Sequence, residues 1–321
     1  MKKKVLVAVL AVAAVAAMAL CTACSSSIRF VTGGETGTYY AVGNQIANHA
    51  TNTAKIEVKA LSSGGSQANI QSLEKKDAEL AFCQSDVMAY AYNGTNLFAG
   101  KAITNFRTLG ALYMEQVQIV TCDPNIKTVA DLKGKTVSVG ASGSGVYFNA
   151  VDILGAYGIR LSDNPAECDI NPQYQSFGDS ADSLKNGQID AAFIVAGAPT
   201  TAITDLSTSK QAYLVALDDE HIAKLLATSD YYKANTIKAG TYNGINNDVK
   251  TVAIAAVVLV REDVAEDTVY KLTADLFDNL GTFEHAKFKE MSLEFASSIT
   301  SVPYHAGAAK YFAEKGITVA K

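Results

Sequence analysis

The sequence predicts an α/β protein of two lobes, and three observations predict it. Short apolar alternating runs and helical periodicity swap repeatedly along the chain, the pattern of strands that alternate with helices. Strand after strand runs into a loop of Gly, Ser, Thr or amide residues that opens a helix. This arrangement occurs twice with no linker, low-complexity stretch or tandem repeat between the two occurrences, so the division is one of topology. The chain crosses near Cys122 and returns on a long strand near Thr251. This gives lobe one residues 24–122 plus 250–321, lobe two residues 123–249, and crossover strands between them.

In order, Ile28 to Thr32 is a strand running into Gly33-Gly34-Glu35-Thr36-Gly37-Thr38 and a helix from about Tyr39 to Ala50. Ile56 to Leu61 is a second strand, followed by Ser62 to Ser66 and a helix to about Lys75. Glu79 to Cys83 is a third, ending in Gln84-Ser85-Asp86 and another helix. Arg107 to Tyr113 and Gln116 to Cys122 then read as two strands. Lys127 to Lys133 is a short helix closed by Gly134, and Lys135 to Val139 a strand leading into Gly140 to Gly145 and a helix to about Tyr157. Tyr174 to Phe177 reads as a strand, Asp179 to Asn186 as a helix, and Ile189 to Val195 as a strand ending in Ala196-Gly197. Ala212 to Leu217 is one more strand. Thr251 to Arg261 is ten or so β-branched and apolar residues, a buried strand rather than a membrane span. Helices near Asp263 to Leu280, Phe283 to Phe295 and Ala306 to Gly316 complete the chain.

The first residues are not part of this fold. Lys2, Lys3 and Lys4 precede an uncharged apolar run, Val5 to Leu20, and small residues follow. This is the build of a secretory signal, too short for a spanning helix. Cys24 after Thr22 and Ala23 reads as a lipobox, with Cys21 at the position where leucine is commonest. Residues 1–23 are then a lipoprotein signal peptide, Cys24 is lipidated, and the rest works outside the cytoplasmic membrane, tethered to it. The alternative is a soluble export signal.

The remainder is long enough for two domains. Losing Lys2 to Lys4, three of 27 Lys and Arg against 32 Asp and Glu, takes the net charge from −5 to −8. No basic cluster remains, which excludes a nucleic-acid partner. Cys83, Cys122 and Cys168 allow at most one disulfide. The four histidines are scattered and none has a second ligand at zinc-site spacing, so neither metal nor cofactor is expected. Gly140 to Gly145 lacks the Lys-Ser/Thr pair of a P-loop and the spacings GxGxxG and GxSxG.

Ligands of open α/β sheets bind beyond the carboxyl ends of the strands, where free N–H groups of helix N-termini attract negative charge. Thr36, Thr38, Ser66, Ser142 and Ser144 stand at or near such helix starts. Each either caps its own helix or holds a ligand carboxylate, and their clustering favours a shared anion-binding cleft.

The motifs in sequence resemble the TAXI family of solute receptors for TRAP transporters (tripartite, ATP-independent periplasmic systems). The resemblance rests on Thr32-Gly33-Gly34 with Gly37-Thr38-Tyr39-Tyr40, Gly64-Gly65-Ser66 with Asn69, and Gln84-Ser85-Asp86. Asp131 to Lys135, Val139-Gly140, Gly143-Ser144-Gly145, Ile189 to Phe193 with Gly197, Asp230-Tyr231-Tyr232, Ile237 and Gly240-Thr241-Tyr242 extend it to the C-terminal half. Ala41 departs from it, since the family usually has proline after the paired tyrosines.

The resemblance implies a two-lobed periplasmic-binding-protein-like (type II) fold closing on a small solute, an amino acid or dicarboxylate with glutamate or glutamine foremost. It implies delivery to a TRAP-type membrane permease driven by an ion gradient. The protein would be a receptor and not an enzyme. The residues expected to hold solute are Gly37, Thr38, Tyr39, Ser66, Gln84 and Asp86 in lobe one. In lobe two they are Ser142, Ser144, Gly145 and Val146, with Ala196 and Gly197 as backbone contacts. None of the four arginines lies in these loops, so recognition by backbone N–H and hydroxyl groups is expected instead of an arginine clamp. The competing classes are a surface adhesin or antigen without ligand, an enzyme on the same scaffold, and the receptor of an ABC importer.

Overall fold

A computed structural model describes residues 27–162 and 164–321; the signal segment 1–23 and Cys24 lie outside the described residues. Lobe one begins β1 (Ile28–Val31), α1 (Thr38–His49), β2 (Val58–Leu61), α2 (Ser66–Glu74), β3 (Leu80–Gln84) and α3 (Ser85–Asn93). The long strand β4 (Phe106–Thr121) leads into β5 (Thr136–Ser138), α4 (Val146–Ala156), β6 (Asn171–Gln173), α5 (Phe177–Lys185) and β7 (Ala191–Ala196). Next come α6 (Thr201–Ser209), β8 (Tyr213–Val215), α7 (Asp219–Thr228) and β9 (Lys233–Ile237). The second long strand, β10 (Val249–Arg261), returns to α8 (Glu266–Phe277), α9 (Leu293–Ala296) and α10 (Ala306–Glu314).

The strands form one continuous path, β2-β1-β3-β10-β4-β7-β5-β6, with β8 beside β4 and β9 beside β10. At one end β2, β1 and β3 are parallel, and at the other β7, β5 and β6 are parallel. The two long strands run antiparallel to each other and to both groups. Each parallel group carries its helices on βα connections, and the long pair joins them.

Three apolar clusters mark the lobes. One gathers residues up to Tyr113 and from Ala255 onward, with Phe148 of α4 packed into it from the other lobe; the other two gather residues from Val117 to Ile254. The change of lobe therefore falls inside the long strands, between Tyr113 and Val117 on β4 and between Ile254 and Ala255 on β10. Close to it the β4–β10 register shifts, between Ala256 and Val257. A bulge bends and twists a strand, which suits the point where the sheet changes lobe. Among the described residues no helix is long and apolar enough to cross a membrane.

Several elements differ from the sequence expectation. Where the pattern predicts two strands, over 107–113 and 116–122, the chain forms one. Ladder bonds from β10 run across Met114 and Glu115 and hold them extended, so tertiary pairing overrides a local polar break. The strand expected at Tyr174 to Phe177 lies instead at Asn171–Gln173, an edge position that tolerates Pro172. Ser176 accepts from the Asp179 N–H at 3.2 Å and draws Phe177 into α5. The helix expected from Phe283 to Phe295 is two short turns, Ala286–Glu290 and Leu293–Ala296. The His285 ring nitrogen and the Ser292 hydroxyl each cap one of them. Helices α6 and α7 and strand β9 have no counterpart in the expectation.

Candidate functional site

A cleft lined by both lobes lies where they meet. Lobe one lines it with the loop after β1 (Gly33, Gly34, Gly37) and the first residues of α1, Thr38 and Tyr39. Ser63 to Ser66 and Gln84 complete that side. Lobe two contributes Ala141, Ser144, Gly145 and Val146, then Ser176 and Phe177, then Val195 and Ala196. Glu115 enters from β4, at the crossing between the lobes.

Five helices begin at this cleft; Ser176 caps α5, and the other four are α1 after Gly37, α2 after Gly65, α3 after Gln84 and α4 after Gly145. None of these four residues caps its helix with a side chain. Nor do the neighbouring hydroxyls that have a partner turn inward to cap. Thr38 Oγ1 donates to the Gly197 carbonyl of the opposite lobe at 2.8 Å, and Ser66 Oγ accepts from the Gln84 N–H at 3.1 Å. In their first turns the Ala68 N–H of α2 goes to the Gly143 carbonyl and the Val87 N–H of α3 to Asp86 Oδ1, and the N–H groups of Thr38 and Tyr39 in α1 and Ser66 in α2 face the cleft without a side-chain cap. The helix dipoles favour negative charge in the cleft. Two further polar atoms are buried among the lining residues without a protein partner, Ser144 Oγ and Gln84 Oε1.

The lobes are closed against each other. Besides the Thr38 bond, the Ala68 N–H donates to the Gly143 carbonyl at 3.0 Å and the Ala202 N–H to the Thr36 carbonyl at 3.3 Å. Such approach needs glycine. Gly65 has φ 101, a conformation other residues seldom adopt, and a Cβ there would stand 3.3 Å from Ser144 Cα. A Cβ at Gly145 would fall 2.0 Å from Gln84 Oε1.

Among the described residues Glu115 is the one acid lining the cleft, and it is 2% exposed. Its Oε2 accepts from the Tyr39 hydroxyl at 2.6 Å, and Tyr39 in turn stacks on Phe82 with ring centroids 4.5 Å apart. Burial pushes the Glu115 carboxyl up to about 8; the Tyr39 bond and Lys287 oppose the shift, and the Asp86 charge adds to it. Lys287 is buried beside the site: a Cβ on Gly197 would meet its Cε at 2.6 Å. Its Nζ donates to Glu290 at 2.7 Å and lies 6.0 Å from the centre of the Tyr113 ring.

Of the residues expected from sequence, Gly37, Thr38, Tyr39, Ser66, Gln84, Ser144, Gly145, Val146 and Ala196 line the cleft. Gly197 stands behind Ala196, its carbonyl taken by Thr38. Ser142 is not among the lining residues; its carbonyl faces Gly64 across the lobe contact. Asp86 is a correction. Fully buried in the first turn of α3, it turns away from the cleft and accepts from Asn149 Nδ2 of lobe two at 3.2 Å. Asn149 also donates to the Tyr232 hydroxyl at 2.8 Å, and that hydroxyl donates to Asp152 at 3.0 Å. Burial, reinforced by the Asp152 charge and opposed by the Val87 N–H, raises the Asp86 carboxyl to about 7.

Sequence reasoning missed Glu115, Phe177 and Lys287. The signal for the first was an acid inside a run of apolar residues. None of the four arginines lines the cleft: Arg29 and Arg261 pair with Glu79, and Arg107 with Glu262.

The fold is similar to that of a protein of Bordetella bronchiseptica RB50, with TM-score 0.55 and 16% identity over 89% of this chain and 88% of that one. It is also similar to PhnD1 from Prochlorococcus marinus in complex with methylphosphonate, with TM-score 0.52 and 11% identity over 82% and 87%. A solved periplasmic transporter gives TM-score 0.51 and 14% identity over 80% and 85%. These likenesses establish the two-lobed α/β fold of periplasmic substrate-binding proteins. The family model described as the NMT1-like family matches residues 30–316, nearly the whole of the two lobes, and the chain belongs to that family.

Proposed function

We propose that the protein is an extracytoplasmic solute receptor that captures a small carboxylate or amino acid between its lobes and delivers it to a membrane importer. The observation that carries this role is the closed cleft itself. Four helix N-termini begin there without side-chain caps, beside the buried, unpartnered Ser144 Oγ and Gln84 Oε1. A carboxylate at the helix starts would satisfy first-turn N–H groups there, such as those of Thr38 and Tyr39. The proposed role is capture without chemistry, and turnover of a bound solute would refute it. Export and a lipid anchor at Cys24 rest on the signal segment.

Two importers compete. The TAXI-like motifs point to an ion-driven TRAP permease and to glutamate or glutamine. Membership of the NMT1-like family favours an ATP-driven importer of the ABC type, and it is the better supported of the two. Uptake by membrane vesicles loaded with the receptor separates them, since one demands ATP and the other an ion gradient.

The capture role is tested by thermal unfolding against amino acids, dicarboxylates, alkanesulfonates and phosphonates, using protein unfolded and refolded to strip bound solute. A ligand at 100 times its Kd adds about 2.7 kcal/mol, a rise of a few degrees for this size. A flat response to every compound refutes the role and favours a surface antigen without ligand.

A further inference from the structure

We infer that Glu115 anchors a positively charged nitrogen of the solute, so that the cleft takes a zwitterion with a free amine, such as an α-amino acid, and rejects the same skeleton without it. The inference rests on the receptor role proposed above and assigns one residue of the site.

The geometry separates charge within one small space. The helix starts that attract an anion come from both lobes, with Thr38, Ser66 and Val146 among the lining residues. Glu115 enters from the crossover strand between them. Among the described residues it is the only acid of the lining, is more than nine-tenths buried, and has a single protein hydrogen bond, from Tyr39 to Oε2. No bond to Oε1 is formed among the described residues, and no lysine, arginine or histidine there makes an ion pair with Glu115. The nearest candidate, Lys287, is committed to Glu290. The charged form of such a buried acid is costly unless a cation pairs with it, and Lys287, which acts on it through space, makes no ion pair with it. The cleft thus complements a solute that carries one negative and one positive group.

The groups facing Glu115 fix how its proton behaves. Tyr39 on α1, Cys83 on β3, Asp86 on α3, Tyr113 on its own strand and Lys287 in the turn at 286–290 are its titratable neighbours. Burial is the dominant effect, and it holds the acid protonated at neutral pH in the empty closed cleft. An ammonium can pair with Glu115 only when the acid gives up its proton. Binding of an amine at neutral pH therefore releases a proton, and affinity rises with pH up to about 8. A solute with only anionic groups needs Glu115 protonated, so its affinity is level up to about pH 8 and falls above it.

The test is isothermal calorimetry on the purified protein between pH 6 and 9. The titrants are the twenty L-amino acids, the deaminated counterpart of any that binds (glutarate for glutamate), and methylphosphonate and methanesulfonate. The expected result is an amino acid bound at least 100-fold more tightly than its deaminated counterpart, with affinity rising towards pH 8. Glu115→Gln keeps an acceptor for Tyr39 but no charge. It should weaken amino-acid binding at least 30-fold and flatten the pH dependence without lowering the melting temperature. If the variant does not fold, the direction of the wild-type pH profile decides. Tight binding of an anion without an amine, or undiminished amino-acid binding by Glu115→Gln, overturns the assignment while leaving the receptor role intact. Binding of none of the solutes overturns both.

Discussion

Replacing Gly145 by alanine should separate closure from folding. Gly145 has φ −71 and ψ −22, so alanine fits its backbone, and such a change stabilises a chain by about 0.4–1 kcal/mol through the unfolded state. The added Cβ meets the opposite lobe instead: 2.0 Å from Gln84 Oε1, 2.6 Å from its Cδ and 2.9 Å from Ser66 Oγ. Real Cβ contacts stay beyond 3.0 Å, so the gap must open by about 1 Å unless the buried Gln84 side chain is displaced. The bonds at risk are those that close the lobes on either side, Ala68 to Gly143 at 3.0 Å and Thr38 to Gly197 at 2.8 Å. At a net 0.5–1.5 kcal/mol each, losing both weakens the closed state by about 1–3 kcal/mol, which is roughly 5- to 150-fold. The assay is calorimetric affinity for the solute that stabilises the wild type, beside the melting temperature of the ligand-free protein and small-angle scattering with ligand. The expected outcome is a Kd raised within that range, a wider scattering profile and a melting point equal to or above wild type. Wild-type affinity with a wild-type scattering profile would refute the claim that lobe contact at Gly145 limits closure.

Thr38→Val removes the donor to Gly197, whose carbonyl keeps only Thr200 Oγ1 at 3.2 Å. It should weaken solute binding about fivefold, for roughly 1 kcal/mol, with little change in melting temperature. Asp86 is raised by burial to about 7, above the 3.9 of an unfolded chain. Its contribution is therefore complete below about pH 4 and is lost as pH rises through 7. Asp86→Asn should remove that dependence, so the stability of wild type relative to the variant falls between pH 4 and 8, by at most about 4 kcal/mol. A difference that does not change with pH, in paired denaturant titrations, would show that Asp86 keeps its ordinary value. Cys24→Ala should move the protein from the membrane fraction to the soluble one; retention in the membrane would argue against a lipid anchor there.

Local pattern reveals this fold to the extent that its elements are locally determined. The Gly-, Ser- and Thr-rich loops after β1, β2 and β5 are legible because the change from period 2 to period 3.6 falls on them. Glu115 is not legible as a site residue. An acid between two apolar runs reads as a turn, and what keeps it extended is pairing with β10, almost 140 positions later in the chain. Asp86 shows the converse: its place at a helix start is readable, but the side to which it points depends on Asn149 from the other lobe. Phe177 was within reach, since Ser176 and Asp179 form an S-x-x-D signature of a helix start, although the preceding residues alternate like a strand. Lys287 had no local signal; its burial follows from the close approach of Gly197.

The same unpaired groups that mark the cleft explain why closure should depend on solute. In the closed structure Ser144 Oγ and Gln84 Oε1 are buried without partners, and Glu115 is desolvated with one hydrogen bond. In an open form each could bind water. Each unsatisfied group costs about 1–3 kcal/mol, so closing an empty cleft forfeits about 2–6 kcal/mol at the two neutral atoms alone. The cross-lobe bonds of Thr38, Ala68 and Ala202, at a net 0.5–1.5 kcal/mol each, return an amount of similar size. The two states of the empty protein are then close in free energy. A solute that satisfies the orphaned atoms removes the penalty without altering the lobe contacts. From near-equal populations a shift to 99:1 takes about 2.7 kcal/mol, which lies within what those atoms withhold. The cleft is thus left incomplete by the chain itself, and the missing partners are what give a bound solute its preference for the closed form.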